Sequence, residues 1–536
     1  MSNNIISSPA RIIAFFVVIF AVVFIALVAA NGYVNSGSPE AVPSSTPIST
    51  EIAALPSETA TETATEIPIT KAPSRAIPAT STPVAAVQET SGPPIESQPD
   101  VPPTSMASPT STTAPTLTPT SRPLVIPSLS ASNNPDNSVD PALPRPVPTF
   151  AVPQNTTNIL LLGSDVSLDA GIGRTDTMII VAIDTERQTA SMVSLPRDLY
   201  VYIPGWITNR LNTALSHGSS VGYPGGAVAQ LNDTILYNFG VPIHFYAQVD
   251  FEGFKQAVNI VDGIDVPVSC RLRDWRLSSP ELDPNNEDNW EMYTLEPGIH
   301  HMDGDMALWY VRSRRTTSDF DRGRRQQQML RLMLNQGVDV GLLPSLPEMW
   351  NTYKDSVNTN MDIGRMLQLA ALAPGVRENG VQHLYLVGDQ LQPYEVPETG
   401  ARVQLPIWEN MEDTFRRLFL PPALNKATRP PIMVEVVNQS GNPDLALLAA
   451  DNLEWYGFEP VITVPNDPPG DPTSISYYAQ NFKGSYDWLL SWIFDKHKSA
   501  IELVPDMDYG YNYRIVLGPD YNPCRPQLFA PEIFLD

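Results

Sequence analysis

The sequence predicts an α/β protein with two folded domains, carried outside a membrane on an anchor and a long linker. Three observations predict it. Continuous apolar runs of strand length, NILLLG at 158–163, TMIIVAI at 177–183 and TASMVSL at 189–195, precede stretches with apolar residues at helical spacing, at 226–239 and 251–261. A second pattern of strand, glycine turn, helix and strand begins near Pro431. The composition also changes near residue 155, from a proline-rich polar chain to one able to bury large cores.

Residues 1–31 read as a short tip and an anchor. Ile12–Ala30 is nineteen residues without a charge or a proline, enough helix to cross a bilayer core of about 30 Å. Arg11 precedes the run and the next basic residue is Lys71. The positive-inside rule then puts the N-terminus in the cytoplasm and the rest outside, as a single-pass protein of the plasma membrane. A cleaved signal peptide is the alternative, with VAANG at 28–32 as its cleavage site, but the run is longer than the usual apolar core of about 7–15 residues.

Residues 32–154 are low-complexity Pro, Ser, Thr and Ala. Twenty-three of the 54 prolines fall between Pro39 and Pro148, and no aromatic residue lies between Tyr33 and Phe150. Such a chain cannot bury enough apolar surface to repay its ordering entropy. Proline keeps it extended, so it reads as a disordered, semi-stiff tether.

The remainder divides into a first domain over 155–420, a second over 431–521, and a tail over 522–536. The only cysteines are Cys270 and Cys524. Outside the cell they form either one disulfide, pinning the tail to the first domain, or two buried thiols. No CxxC, HExxH, Walker A, GxGxxG or GxSxG motif occurs. The formal net charge of −25 and the outward orientation argue against nucleic acid as a partner. His217, His244, His300 and His301 read as structural or exposed. Residues 266–292, rich in acids, Pro and Trp, read as a surface excursion, either an acceptor-side lid or decoration.

Taken as neighbouring antiparallel strands, the three apolar runs bring five charged residues to one sheet edge. The first strand ends at Asp165, and a glycine-rich loop returns the chain through Arg174 to Asp176. The third strand comes back to the same edge at Arg197 and Asp198. Carboxylates and arginines together suit a divalent cation bound with phosphates; the alternative is that Asp165 and Asp176 only cap turns. Far along the chain, YVRSRRTTSDFDRGRRQQQ at 310–328 packs six arginines into fourteen positions. Arginine suits phosphate because its planar fork donates parallel charge-assisted hydrogen bonds. A solvated basic helix face is the plainer reading of such a run.

These segments carry a resemblance. GSD, GRTDTMIIVAID, SLPRDLYVYIP and YVRSRRTTSDFDRGRRQQ stand in the order found in the LytR-CpsA-Psr family. NRLNTALSHG is similar to that family's Lys-x-Asn segment, with Arg210 for the lysine, and YTLEPGIHHMDGDMALWYVRSR resembles its run into the arginine motif. The resemblance implies an α/β/α layered domain with a mixed central sheet and a hydrophobic groove for a lipid. It implies an extracytoplasmic phosphotransferase that moves a glycopolymer from a polyprenyl-pyrophosphate carrier onto peptidoglycan as a phosphodiester. By motif position, Asp165 and Asp176 would hold Mg²⁺ (or Mn²⁺). Arg174, Arg197, Arg312, Arg314 and Arg322 would clamp phosphate oxygens, with Arg325 a weaker member. Asp319 would orient the clamp and Gln326 would complete it. Phosphoryl transfer to a sugar hydroxyl also calls for a base, which Asp198 or another carboxylate in the site could supply. Asp321 departs from the pattern, where many members carry glycine. Residues 431–521 resemble the small α/β accessory domain of LytR-like proteins, with VEVVNQSG for the usual VEVLNGTG and an insertion-like stretch near 467–483. The helices at 226–239 and 251–261 and the arginine helix are candidate groove walls, with ordinary core packing as the alternative.

Two other functions stay open at this point: a non-catalytic, tethered wall-binding protein, and a lipid pyrophosphate hydrolase using the same site. The polymer, the acceptor sugar and the oligomeric state are not read from the sequence.

Overall fold

The computed structural model describes residues 146–164, 175–339, 357–464, 470–478, 486–505 and 509–524. The anchor at Ile12–Ala30, Asp165 and Arg174 lie outside these residues. No helix among the described residues is long and apolar enough to cross a membrane.

The first three apolar runs form strands β1 (Thr156–Ser164), β2 (Thr175–Asp184) and β3 (Thr189–Ser194), each antiparallel to the next. A short pair, β4 (Tyr200–Tyr202) and β5 (Thr208–Arg210), then leads into helices α1 (Thr213–Ser220) and α2 (Ala227–Phe239). Helix α2 ends where Gly240 takes φ 67°, a left-handed turn that favours glycine. Strand β6 (Phe245–Val249) adds parallel to β1, and α3 (Phe251–Ile260) follows it.

Strands also run through part of the predicted surface excursion. β7 (Ile264–Val268) pairs with β10 (Gly298–Met302), and β8 (Leu272–Leu277) pairs with β9 (Trp290–Leu295). Val266, Val268 and Leu272 are buried in the core, so only the segment between β8 and β9 is loop-like. The acids and prolines masked the alternation of these short strands.

Helix α4 (Gly304–Arg312) starts hard against α3: a Cβ at Gly304 would lie 2.3 Å from the Lys255 carbonyl oxygen. Helix α5 (Asp319–Asp339) carries the rest of the arginine run. Strand β11 (Val357–Thr359) joins β6 antiparallel, α6 (Ile363–Ala370) and α7 (Ala373–Asn379) follow, and β12 (Val381–Tyr385) joins β3 in parallel. The sheet order is β11-β6-β1-β2-β3-β12, a mixed sheet as expected. The hairpin β13 (Leu391–Glu395) and β14 (Arg402–Pro406) and helix α8 (Trp408–Arg417) end the domain.

Alternation along β1 and β2 sends side chains into two cores. Ile159, Leu161, Ile179 and Val181 face one, with α3 to α7. Leu160, Leu162, Met178 and Ile180 face the other, with α1, α2 and α8. Covering both faces makes three layers, and it explains why these strands read as unbroken apolar runs. Helices α2 and α3 thus lie on opposite faces of the sheet, with Leu231, Ile235, Phe254 and Val258 fully buried. They cannot wall one groove together; their apolar stripes are core.

Packing starts ahead of residue 155. Val147 and Phe150 donate backbone hydrogen bonds to the Tyr237 and Gly240 carbonyls, and the Phe150 ring packs on Trp408 and Phe419.

The accessory domain has a five-stranded sheet. Its strands are β15 (Met433–Asn438), β16 (Glu459–Thr463), β17 (Ser474–Tyr478), β18 (Ile501–Val504) and β19 (Tyr513–Leu517), ordered β16-β15-β19-β17-β18. Helices α9 (Pro443–Trp455) and α10 (Asp487–Phe494) supply its helical layer. The stretch read as an insertion contains β17, which sits inside the sheet beside β19. Cys270 and Cys524 are disulfide-bonded, joining the first domain to the tail.

Candidate active site

Asp176 stands at a bulge. Gly163 pairs with Thr177 and Ser164 with Thr175, so Asp176 has no ladder partner of its own. A bulge bends the strand and re-aims the side chain. The buried carboxylate accepts hydrogen bonds from Arg197 Nη1 at 2.7 Å and from Asn212 Nδ2 at 3.1 Å. Arg197 arrives from the end of β3, as strand connectivity requires. Its Nε lies 3.4 Å from Asp198, whose other oxygen is 3.1 Å from Arg210 Nε. Burial pushes the Arg197 guanidinium down, but Asp176, Asp198 and Asp319 outweigh it and hold the group above its usual value.

The second half of the site comes from α5. Helix α4 stops at Ser313, so the arginine run divides between two helices and the turn joining them. That turn is held by Asp274 of β8, whose carboxylate accepts from the Arg314 and Arg315 backbone N–H groups at 2.8 and 3.1 Å. Thus β8, in the stretch read as decoration or lid, sets the conformation of the arginine turn. Ser318 and Asp321 then start α5 with a capping box: Ser318 Oγ accepts from the Asp321 N–H, and the Asp321 carboxylate accepts from the Ser318 N–H. The extra carboxylate that departs from the family pattern is spent on that cap.

Arg322 projects from the first turns of α5 and is 5% exposed. Its Nη1 lies 3.5 Å from Asp319 and makes no hydrogen bond among the described residues. Burial pushes this guanidinium below its usual value; Asp319 pulls it back, and Arg197 pushes it down further. The arginines of two stretches more than a hundred residues apart therefore meet near one aspartate. Gln326, one turn on, donates to Thr177 Oγ1 at 3.0 Å and so ties α5 to β2 beside Asp176.

A cleft of about 520 Å³ contains these groups. Asp176, Arg197, Asp198, Asp319, Arg322 and Gln326 all line it. Met178, Leu195, Phe320, Leu386 and Val403 give it apolar walls, and the β13–β14 hairpin lines it with Tyr394, Glu395 and Arg402. That hairpin is fixed to the charged floor, because the Gln404 N–H donates to the Asp198 carbonyl at 2.9 Å and Arg210 Nη2 to the Arg402 carbonyl at 3.0 Å.

The remaining predicted residues lie elsewhere. Arg314 reaches Asp319 at 3.7 Å and is partly exposed. The Arg312 guanidinium sits 4.3 Å over the Phe251 ring and is not part of the cleft lining. Arg325 is buried and donates to the Tyr310 and Ser313 carbonyls, fastening the end of α4. None of His217, His244, His300 and His301 lines the cleft. Sequence reasoning passed over Asn212, Arg210, Tyr385 and the β13–β14 hairpin as site residues. Only NRLNTALSHG held a signal, through its family resemblance.

The donor set suits a hard divalent cation. Asn212, whose Nδ2 donates to Asp176, and Thr175, which precedes that aspartate, each keep a buried oxygen without a hydrogen-bond partner among the described residues, although neither residue lines the cleft. No group of three or more His, Cys, Asp or Glu is placed as a ligand set among the described residues. Neutral oxygens and substrate phosphates would complete the shell.

A mixed sheet whose strand edge joins aspartate, paired arginines and an apolar-walled cleft defines an anion-binding α/β domain of phosphotransfer type. The model of the LytR_cpsA_psr family matches residues 128–413, more than half of the chain, and the protein belongs to that family. Relatives include the polyisoprenyl-teichoic acid–peptidoglycan teichoic acid transferase TagU of Oceanobacillus iheyensis, 30% identical over 246 residues, 45% of this chain and 70% of that protein. The transferase TagT of Bacillus subtilis is 25% identical over 244 residues, 45% of this chain and 70% of that protein. Among solved structures, B. subtilis TagV is similar at 25% identity and a TM-score of 0.40, over 49% of this chain and 96% of that one.

Proposed function

We propose that this protein transfers a glycopolymer from a polyprenyl-pyrophosphate carrier onto peptidoglycan, forming a phosphodiester. One observation carries the reading. Arg322 is buried in a cleft beside Arg197, and its Nη1, 3.5 Å from Asp319, makes no hydrogen bond among the described residues. A desolvated cation in that state calls for an anion from outside. Diphosphate supplies the charge, and the apolar walls suit the first isoprene units of its lipid. Relatives named as teichoic acid transferases support the same reaction class.

The acceptor hydroxyl attacks the phosphorus that bears the glycan. The bond to the bridging oxygen breaks, polyprenyl phosphate leaves, and the hydroxyl proton passes to a base in the site. Such transfers need positioning and charge neutralisation more than covalent help. Arg197 and Arg322 neutralise the equatorial oxygens from two sides, Asp319 holds Arg322 in place, and Gln326 fixes α5 against β2. Asp198 lies between Arg197 and Arg210, so it orients arginines rather than taking the proton. Mg²⁺ or Mn²⁺ held by Asp176, with Asp165, would supply further neutralisation of the diphosphate. The domain works outside the cell, tethered by Ile12–Ala30 and the proline-rich linker.

The test mixes the full chain in detergent with a polyprenyl-pyrophosphate glycan, peptidoglycan and Mg²⁺. Phosphodiester product is expected, lowered about 10²–10³-fold by Arg197→Ala or Asp176→Ala and lost when the metal is chelated. Full activity in both variants refutes the site; release of free glycan phosphate without transfer supports the hydrolase instead.

A further inference from the structure

The helix that carries Arg322 is gripped from behind by the accessory domain. On α5, Arg322 and Gln326 are one turn apart and line the cleft. Arg324, Gln328 and Arg331 follow a different stripe of the same helix and meet α9. Arg331, 7% exposed, pairs with Asp451, 5% exposed, and lies 3.2 Å from Glu454. Gln328 Nε2 donates to Asp451 at 3.1 Å, and Arg324 Nη2 donates to Asn452 Oδ1 at 2.9 Å. Both guanidinium groups also sit over Trp455, at 5.1 and 5.6 Å.

Trp455 reaches the cleft by a second route. Its ring stacks on His383 of β12, with centroids 3.7 Å apart and planes 10° apart. It lies nearly parallel to Tyr385, at 6.5 Å, and Tyr385 lines the cleft. His383 is bound to α5 in turn. Gln327 Nε2 is spent on Ser194 Oγ and the Leu384 carbonyl, so Gln327 Oε1 accepts from His383 Nδ1–H. Ser194 is also in the cleft wall. Elsewhere the domains are tied by the Cys270–Cys524 bridge and by the Ile299 N–H, which donates to Asp444.

We infer that α9 of the accessory domain, through Trp455 and Asp451, is a positioning element of the catalytic cleft: it fixes α5 and β12 so that Arg322 aims at the bound diphosphate. The contact is made by charged, amide and aromatic side chains, whose directional geometry fixes the orientation of α5. Removing Trp455 leaves Arg324, Arg331 and His383 without the plane they share, and α5 keeps only its polar contacts with Asp451, Asn452 and Glu454 as rear support. The inference rests on the reading of the cleft as a diphosphate site.

Two measurements on the full chain test it, using Trp455→Ala and the conservative Trp455→Phe. The first is amide hydrogen exchange without ligand. Exchange over Phe320–Gln328 is expected to rise about tenfold in Trp455→Ala and to stay near wild type in Trp455→Phe. The amides of α2 and of β15 act as folding controls and remain unchanged. Unchanged exchange over Phe320–Gln328, or a rise shared by α2, overturns the inference. The second is affinity for inorganic pyrophosphate with Mg²⁺. Trp455→Ala is expected to weaken it about tenfold and to add nothing further in an Arg322→Ala background, because both act through one guanidinium. Additive losses overturn the route through α5. A wild-type chain that binds no pyrophosphate refutes the diphosphate reading of the cleft, while hydrogen exchange still decides whether α9 supports α5.

Discussion

Helix α5 presents arginines on two faces, and the faces differ in how their charge is met. On the rear face, Arg331 pairs with Asp451 and Glu454 and Arg324 meets Asn452; Arg325, off that stripe, is spent on two backbone carbonyls at the end of α4. On the cleft face, Arg322 is equally buried and has one carboxylate 3.5 Å away. The same residue type on one helix therefore does two jobs. A buried guanidinium paired with carboxylates within the chain, as Arg331 is through Nη1 and Nη2 although its Nε has no partner among the described residues, holds the fold together. One left unmatched costs stability in the free protein and is ready to bind an anion. Counting arginines in the motif does not separate these jobs; counting their acceptors does.

The contrast breaks most easily at Asp451. Asp451→Ala leaves Arg331 buried with only Glu454, and should cost about 3 kcal/mol or more in denaturant unfolding. A cost below about 1 kcal/mol would mean that the rear face is no more matched than the cleft face. Arg325→Ala should remove about 1–3 kcal/mol by stranding the Tyr310 and Ser313 carbonyls. Diphosphate affinity should change far less than it does for cleft residues, and a large loss of affinity with unchanged stability would move Arg325 into the clamp.

The smallest effect concerns pH. Burial, then the charges of Arg331 and Arg324, holds His383 well below its usual value of 6.5. In the unfolded chain the ring takes up a proton near that value, whereas the folded chain does not. The unfolded state then binds more protons as pH falls, so stability is full above about pH 6.5 and declines below it. Lowering the pH from about 7 to about 5.5 should destabilise the wild type by about 1 kcal/mol more than His383→Gln. Equal pH dependence in the two proteins would show that the ring is not held neutral.

Much of this was legible in the residues. The apolar runs announced β1 to β3, and their connectivity alone brought Asp176, Arg197 and Asp198 to one edge. The second arginine stretch was recognised, but its division was not. The family resemblance ranks Arg325 below Arg322, but spacing within YVRSRRTTSDFDRGRRQQQ does not show that Arg325 turns to carbonyls while Arg322 faces the cleft, because that depends on the helix break at Ser313 and on Asp274 some forty residues earlier. Strands β8 and β9 were hidden by a composition that reads as loop. The helices taken as groove walls were amphipathic for the ordinary reason, two cores on two faces of a sheet. His383 and Trp455 carried no local signal, since their meaning arises only where two domains meet.

The most direct test of the cleft compares wild type with Arg322→Met for binding of a short prenyl pyrophosphate and for thermal stability, both with Mg²⁺. The account predicts that affinity falls about 10²-fold or more while the melting temperature holds or rises, since a buried unmatched charge has been removed. A variant that melts lower and binds as tightly as wild type would contradict it.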